Sequence, residues 1–367
     1  MQGISERVLR LIESSGLSRG DFARRIGLDD SKLSKSLGGT RRFSSLDLAR
    51  IAEQYEVSVD WLVTGEEPAL ALAARTTGGQ AGAALKAATL YTSMRADMAS
   101  LGYPQPWRPV QADIARGTYA EQGERLADAA LARVQQTGRL VTEANLSSVV
   151  EAAFGADVTV IGLDDGFDGL AASSDGAKLV VLATSRLPAR QRYTLAHELG
   201  HLLAGDDQDV HLDRDIYDKA QVRDPSEMRA NSFASAFLMP ADRLRGAVGK
   251  AGLTEPLFAE LACELRVSPS ALAIRMLQLR LIDAGRCDRY KRITAARAAS
   301  IADSGDDFAQ SVAESNKLRP PGLLVRDAYA AYETGAATLR PYANLLGVDV
   351  DDLRRELESE DGTDDPS

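Results

Sequence analysis

The sequence of 367 residues contains little cysteine and no long hydrophobic run. Its two cysteines, Cys263 and Cys287, are too few for a disulfide framework or a thiolate metal cluster. No apolar stretch approaches the roughly 18 residues needed to cross a bilayer, and the N-terminus lacks a signal-peptide pattern. We therefore expect a cytoplasmic protein with no membrane partner, folded into two or three domains.

A large excess of positive charge is also lacking. Residues 1–65 hold ten Lys or Arg against nine Asp or Glu, which leaves a net charge of +1. Because the whole chain carries −10, the other 302 residues carry −11. A chain with this balance is not expected to be wrapped wholly in nucleic acid, and if one part contacts DNA it is the first.

Hydrophobic spacing predicts five short helices in residues 4–63. Ser18 is expected to cap the second helix and Gly27 to close it. Asp29 or Asp30 is expected to cap the third helix. Two helices joined by a tight glycine-containing turn, inside a bundle of this size, form a helix-turn-helix.

The stretch 17–42 resembles the Cro/phage-repressor type of helix-turn-helix, often called the XRE family. The resemblance implies that residues 29–37 form the recognition helix. The side chains implied to face DNA are Ser31, Lys32, Ser34 and Lys35. Arg41 and Arg42 would contact phosphates. Asp29 and Asp30, at the start of this helix, place negative charge on a surface that would be basic in a DNA-contacting helix. The alternative is that the bundle docks another protein and has lost contact with DNA.

A His-Glu-x-x-His motif at residues 197–201 is the main chemical signal of the chain. Residues four apart share one face of a helix, so His197 and His201 can reach a single point. Two imidazoles so placed suit a tetrahedral Zn²⁺ site, and Glu198 is positioned to act as a general base. All three histidines lie between His197 and His211, which disfavours a chance match on a surface helix.

A third metal ligand is expected on a later helix. Glu227 is the candidate, because zinc hydrolases commonly combine two histidines with one glutamate. The alternative is a solvated glutamate that interacts favourably with the helix dipole. His211 also has two interpretations: it stabilises an oxyanion of the substrate, or it is a loop histidine without a catalytic role.

A small sheet is predicted beside the histidine helix. Residues 157–163 and 178–183 have strand-like hydrophobic patterns. Residues 164–176, rich in Gly, Asp and Ser, are predicted to form the turn between them. Pro188 suits the first turn of the histidine helix. Two further helices are predicted before the sheet, at residues 119–134 and 146–154.

The order of two strands, the His-Glu-x-x-His helix and a later Glu-x-x-Ala-Asn-x-Phe-Ala segment with a Leu-Met-Pro end resembles the ImmA/IrrE family of metallopeptidases. The resemblance covers residues 145–282. It implies that His197, His201 and Glu227 bind Zn²⁺, and that Glu198 is the base. It also implies a substrate class, the helix-turn-helix repressors of phage, mobile-element or stress regulons.

The expected fold class is multidomain and mainly α with a small sheet. An all-α helix-turn-helix bundle is followed by an α+β zincin-like peptidase domain and C-terminal helices. The expected boundaries are 1–66 for the DNA-binding domain, 67–116 for a helical linker, 117–290 for the peptidase domain, 291–357 for the C-terminal helical region and 358–367 for an acidic disordered tail. Within the linker, residues 103–109 are expected to be extended and to lie on the surface.

The expected function is a zinc-dependent endopeptidase coupled to a DNA-binding domain, with DNA and a repressor protein as partners. Many repressor-type domains bind paired half-sites as dimers, so a homodimer is one assembly that the sequence allows; the sequence does not decide the oligomeric state. The alternative function is a DNA-binding transcriptional regulator whose zinc site is sensory or structural and cuts nothing. Glu198 discriminates between the two, because only proteolysis requires a base.

Overall fold

A computed structural model describes residues 3–55, 57, 59–64, 80–163, 167–174, 176–206, 211–213, 224–249 and 252–361. The chain divides into two units, Met1–Thr89 and Leu90–Ser367. Most of the described secondary structure of each unit is helical, and the second unit contains one four-stranded sheet. The expectation of a mainly α chain with a small sheet is confirmed at this level. None of the described helices is long and apolar enough to cross a membrane.

Five short helices lie within residues 3–64 of the first unit, as the hydrophobic spacing predicts. They are α1 (Ile4–Ser15), α2 (Arg19–Arg25), α3 (Asp30–Leu37), α4 (Ser45–Tyr55) and α5 (Val59–Thr64). Ser18 caps α2 by accepting a hydrogen bond from the Asp21 amide, and Asp29 caps α3 by accepting one from the Ser31 amide. The core of the unit combines apolar side chains from all five helices, including Val8, Phe22, Leu33, Ile51 and Leu62.

The segment predicted as a helical linker, 67–116, contains one described helix and a stretch that belongs to the second unit. Residues 65–79 lie outside the described part, and α6 spans Gln80–Ser100. Beyond α6, Trp107 packs against the core of the second unit, and the Arg108 amide donates to the Phe154 carbonyl at 2.7 Å. The Gln105 side chain bonds to both the amide and the carbonyl of Lys178. Residues 103–109 form neither a helix nor a strand, and these contacts attach them to the second unit rather than to a linker.

The sheet has four strands in the order β1-β3-β2-β4. They are β1 (Asp157–Ile161), β2 (Gly169–Ser174), β3 (Ala177–Ala183) and β4 (His211–Asp213). β3 runs parallel to β1 and antiparallel to β2, which in turn pairs antiparallel with β4. The prediction that 164–176 only turns is wrong, because 169–174 form a strand between β3 and β4. Its sequence, Gly-Leu-Ala-Ala-Ser-Ser, consists mostly of small residues and does not show the usual strand composition.

Four helices pack on the sheet or on one another and contribute a large part of the core. They are α7 (Tyr119–Gln136), α8 (Leu146–Phe154), α9 (Pro188–Ala204) and α10 (Pro225–Leu238). α7 and α10 approach so closely at Gly123 that a Cβ there would lie 2.4 Å from the Arg229 carbonyl oxygen. Phe233 and Phe237 of α10 stack with ring centroids 5.4 Å apart and are fully buried.

The C-terminal helices are part of the second unit and do not form a separate region. They are α11 (Ala241–Val248), α12 (Glu255–Glu264), α13 (Pro269–Gln278), α14 (Ala284–Tyr290), α15 (Ala295–Ile301), α16 (Gly305–Ser315), α17 (Gly322–Glu333), α18 (Arg340–Leu346) and α19 (Val350–Asp361). Arg319 exchanges two backbone hydrogen bonds with Val160 of β1 and forms an ion pair with Glu151. The prediction of disorder is wrong for residues 358–361, which belong to α19; residues 362–367 lie outside the described part.

Candidate metal centre

α9 is a buried helix whose ends match its sequence signals. Pro188 lies in its first turn, and Gly205 closes it in the left-handed conformation with φ of 72°. All residues from Thr194 through Leu203 are buried. His197 and His201 are four residues apart, so their imidazoles lie one above the other on the same face. Both side chains are fully buried.

α10 brings a carboxylate to the same point. Asp224 caps the helix through the Ser226 amide, and Glu227 follows in the first turn with 7% of its surface exposed. Gly200 of α9 permits the close approach of the two helices, since a Cβ there would lie 2.9 Å from the Phe233 ring. The Tyr193 hydroxyl, 3.1 Å from the Asn231 side-chain oxygen, joins the helices one turn away.

The three predicted ligands converge on one point. The Nε2 atoms of His197 and His201 lie 3.1 Å apart, and they lie 3.2 and 3.3 Å from the two carboxylate oxygens of Glu227. Ligand atoms about 2.0–2.1 Å from a tetrahedral Zn²⁺ are about 3.3 Å from one another. The donor set therefore fits a divalent metal of this size. Within the described residues, these three form the cluster of metal-binding side chains, with ligand atoms within 4.8 Å of one another.

Negative charge around the imidazoles favours a cation at this point. Burial opposes a positive charge on His201, but the neighbouring carboxylates of Asp206 and Glu227 and the charge of Glu198 raise the pKa of His201 to about 10. Burial likewise opposes ionisation of Glu227, yet hydrogen bonds to both histidines lower the pKa of Glu227 well below its ordinary value. A metal dication can replace the proton in this arrangement.

Glu198 occupies a different place from the three ligands. It is the residue after His197 on α9, its side chain is fully buried, and it is not part of the ligand cluster. Its carboxylate acts on His201 through charge. The arrangement thus contains three donors for a metal and a separate carboxylate beside them.

Asp206 is a residue of the site that the sequence alone did not identify. Its carboxylate lies 3.8 Å from Nδ1 of His201, and it forms an ion pair with Arg229 of α10. The signal was present, since Asp206 is the first acidic residue after the glycine that closes α9. A sequence pattern does not show whether that carboxylate turns back toward the helix.

The other candidate residues lie elsewhere. His211 belongs to β4, and its side chain lies outside the described part. On α3 of the first unit, four candidates are exposed: Ser31, Lys32, Ser34 and Lys35. Arg42 is exposed as well. Arg41, in contrast, donates to the Ser36 hydroxyl at 2.8 Å and forms an ion pair with the buried Asp47 at 2.7 Å.

Comparisons with known proteins agree with the position of this centre. Residues 152–277 match the peptidase M78 family, described as the IrrE N-terminal-like domain. The radiation response metalloprotease IrrE of Deinococcus radiodurans is 36% identical over 97 residues, which are 25% of this chain and 29% of that protein. The protein of the same name from Deinococcus deserti is 38% identical over 94 residues, which are 25% and 34%. The chain spans about a third of the length of these relatives. It therefore contains a domain similar to the IrrE N-terminal-like metallopeptidases.

Proposed function

We propose that this chain is a zinc-dependent endopeptidase whose N-terminal unit binds DNA, and that its substrate is a helix-turn-helix transcriptional repressor. The observation that carries the proposal is the convergence of His197, His201 and Glu227 in a buried site beside Glu198. Three protein ligands of this kind leave one coordination position for water or substrate, as catalytic zinc sites do. Zn²⁺ bound there would polarise the scissile carbonyl and make a water acidic.

Different side chains of the site would bind the metal, orient a ligand and transfer a proton. His197, His201 and Glu227 would hold the metal, and Asp206 would orient the His201 ring. Glu198 would accept a proton from the attacking water and deliver it to the leaving amine, which must be protonated before it departs. Glu198 is fully buried, so its carboxylate is removed from bulk water. A carboxylate in bulk water is a weak base, and burial makes it a stronger one.

The first unit supports the DNA-binding part of the proposal. α2 and α3 are joined by a short turn in which Gly27 has φ of 61°. α3 buries Leu33 in the core and leaves two lysines, Lys32 and Lys35, exposed on its other side. Exposed cations on such a helix suit contacts with DNA. DNA binding would bring the peptidase to operators, where repressors bind, and a dimer would match paired half-sites.

A comparison of the wild type with one variant tests the proposed peptidase activity. Wild type and Glu198→Gln are purified, their zinc content is measured, and each is incubated with helix-turn-helix repressors encoded beside its gene. We expect about one zinc per chain in both, and cleavage by the wild type at least about 100-fold faster than by the variant. New N-termini in the products would identify the cut bond. The exposed Glu333→Gln change serves as a matched control with unaltered zinc and cleavage.

Two results would overturn the proposal. Equal cleavage by wild type and Glu198→Gln would remove the assigned base. Zinc in both proteins without cleavage of any tested repressor, combined with an unchanged transcriptional effect of Glu198→Gln, would support a non-proteolytic regulator instead.

A further inference from the structure

A cavity lies between α9 and the C-terminal helices, away from the candidate metal centre. Its volume is about 860 Å³, within the range of small-molecule sites in proteins. Val160, Leu182 and Leu195 contribute apolar walls, and none of the three candidate metal ligands lines it. The cavity therefore has the size and the apolar surface of a binding site, and it is distinct from the peptidase centre.

Arg192 of α9 is a buried cation in the wall of this cavity. Only 8% of its surface is exposed. Its guanidinium donates to the carbonyls of Val141, Glu143 and Ala144. Its Nε is buried with no hydrogen-bond partner among the described residues, and no ion pair is formed with an acidic side chain in that part of the chain. Buried charges are normally paired, so this one calls for an anion.

Arg266 adds a second positive charge to the same cavity. Its backbone has φ of 54°, an uncommon conformation for a residue other than glycine. Its side chain donates to the Thr142 carbonyl and to the Ser311 hydroxyl, each at 3.0 Å. Burial, and after it repulsion by the positive charge of Arg266, lower the pKa of Arg192 to about 9. A bound anion would relieve this repulsion.

The other charged residues around the cavity are already compensated or lie at its rim. Arg319 forms an ion pair with Glu151, and Lys317 forms one with Glu314. The acidic residues that line the cavity are exposed to solvent: Glu260, Glu264, Asp307 and Glu314. The interior charge of the cavity is therefore positive, while its acidic groups are screened by water.

We propose that this cavity binds a small organic anion, with a carboxylate or phosphate head group held by Arg192 and Arg266 and an apolar body against Val160, Leu182 and Leu195. Arginine suits such head groups, because its planar fork of N–H donors matches the geometry of two oxygens. The ligand would contact α9 within two residues of His197, so the cavity and the metal centre share one helix.

The two free cysteines give a direct readout of occupancy. Cys263 lines the cavity and is half-buried, whereas Cys287 is buried elsewhere. The rate at which iodoacetamide alkylates Cys263 is measured by peptide mass spectrometry with octanoate, octyl phosphate, 1-octanol or octylamine present. We expect either anion, at ten times its dissociation constant, to slow alkylation of Cys263 about tenfold, since it occupies most of the sites. The anion that protects better identifies the head group. The alcohol and the amine should protect little.

Two variants locate the binding determinant. Arg266→Gln should raise the dissociation constant of the protecting anion about tenfold or more, because a charged hydrogen bond is lost. Arg286→Gln, the same change at an exposed position of α14 outside the cavity, should leave the constant unchanged. Circular dichroism of both variants verifies that they are folded. Equal protection by 1-octanol, no protection by either anion, or equal affinity in Arg266→Gln would overturn the proposal.

Discussion

The Asp206 carboxylate lies 3.8 Å from Nδ1 of His201, the ring nitrogen opposite the one that faces His197 and Glu227. Arg229, on the helix that supplies Glu227, forms an ion pair with the same carboxylate. A carboxylate behind a metal-binding histidine fixes the orientation of the ring and makes its other nitrogen a better ligand. The two helices of the centre are thus coupled through Asp206 as well as through the candidate ligands.

Replacing Asp206 should therefore weaken metal binding without removing a ligand. We expect Asp206→Ala to raise the dissociation constant for zinc about 10- to 100-fold, as loss of such supporting carboxylates does elsewhere. Competition with a chromophoric chelator measures the constant. The matched control is Asp242→Ala, because the Asp242 side chain is fully exposed on α11. An unchanged zinc affinity in Asp206→Ala would show that the carboxylate does not act on the ring.

The close contact of α7 with α10 should depend on Gly123, which has no side chain. A Cβ at Gly123 would lie 2.4 Å from the Arg229 carbonyl oxygen and 2.8 Å from the Phe233 amide nitrogen. Neither backbone atom can move alone, so Gly123→Ala should lower the free energy of unfolding by about 1–3 kcal/mol. Urea denaturation followed by circular dichroism measures the change.

A second glycine supplies the control for that experiment. A Cβ at Gly246, within α11, would meet no atom within 4 Å. Gly246→Ala should therefore stabilise the protein by about 0.5–1 kcal/mol, because alanine loses less backbone freedom on folding into a helix. Equal effects of the two substitutions would mean that the helix spacing is not set by Gly123.

A buried ion network joins three distant parts of the second unit. Arg95 of α6 donates two hydrogen bonds to Asp157 of β1, at 2.8 and 2.9 Å, and one to Asp327 of α17, at 2.5 Å. All three side chains are buried. Arg95→Met would leave Asp157 buried without a cation and Asp327 paired only with the exposed Arg326, so we expect a loss of about 3–5 kcal/mol in the free energy of unfolding.

Neutralising the two partners tests the cause of that loss. Adding Asp157→Asn and Asp327→Asn to Arg95→Met should recover part of the stability, because no uncompensated charge then remains. The exposed Arg108→Met change is the control and should alter stability by less than about 0.5 kcal/mol. A triple variant less stable than Arg95→Met alone would contradict the electrostatic explanation.

The metal centre could be predicted because its signals are local. His197 and His201 lie one turn apart on a helix, so the sequence spacing alone brings them together. Glu227 follows in a segment with its own helix start, and the structure places its carboxylate against both histidines. The predicted helix 146–154 has the same bounds as α8, whose capping asparagine and closing glycine are adjacent to it in sequence.

The features that the sequence did not predict depend on contacts between distant residues. β2 consists of small residues and is a strand because β3 and β4 pair with it on both sides. Segment 103–109 has an extended pattern, but only the fold shows that Lys178 accepts and donates the hydrogen bonds of Gln105. The cavity beside Arg192 is likewise lined by residues between 142 and 319, which only the fold brings together.

Two basic residues near α3 should respond differently to substitution, which tests the proposed DNA contact. Lys35 is exposed, so Lys35→Ala should leave the melting temperature unchanged while it weakens DNA binding. If Lys35 neutralises one phosphate, the slope of log K against log salt should fall in magnitude by about 1. Fluorescence anisotropy with operator DNA from near the gene, between low and moderate salt, measures both the affinity and the slope.

Arg41 has a second role, because it forms an ion pair with the buried Asp47. Hydrogen bonds and the Arg41 charge outweigh the effect of burial and lower the pKa of Asp47, so this carboxylate stays ionised at neutral pH. Arg41→Ala should therefore lower the free energy of unfolding by about 1–3 kcal/mol, whether or not DNA is bound. If Arg41→Ala is as stable as the wild type, Arg41 is free for phosphates; if Lys35→Ala binds DNA as tightly and with the same salt slope, α3 does not contact DNA.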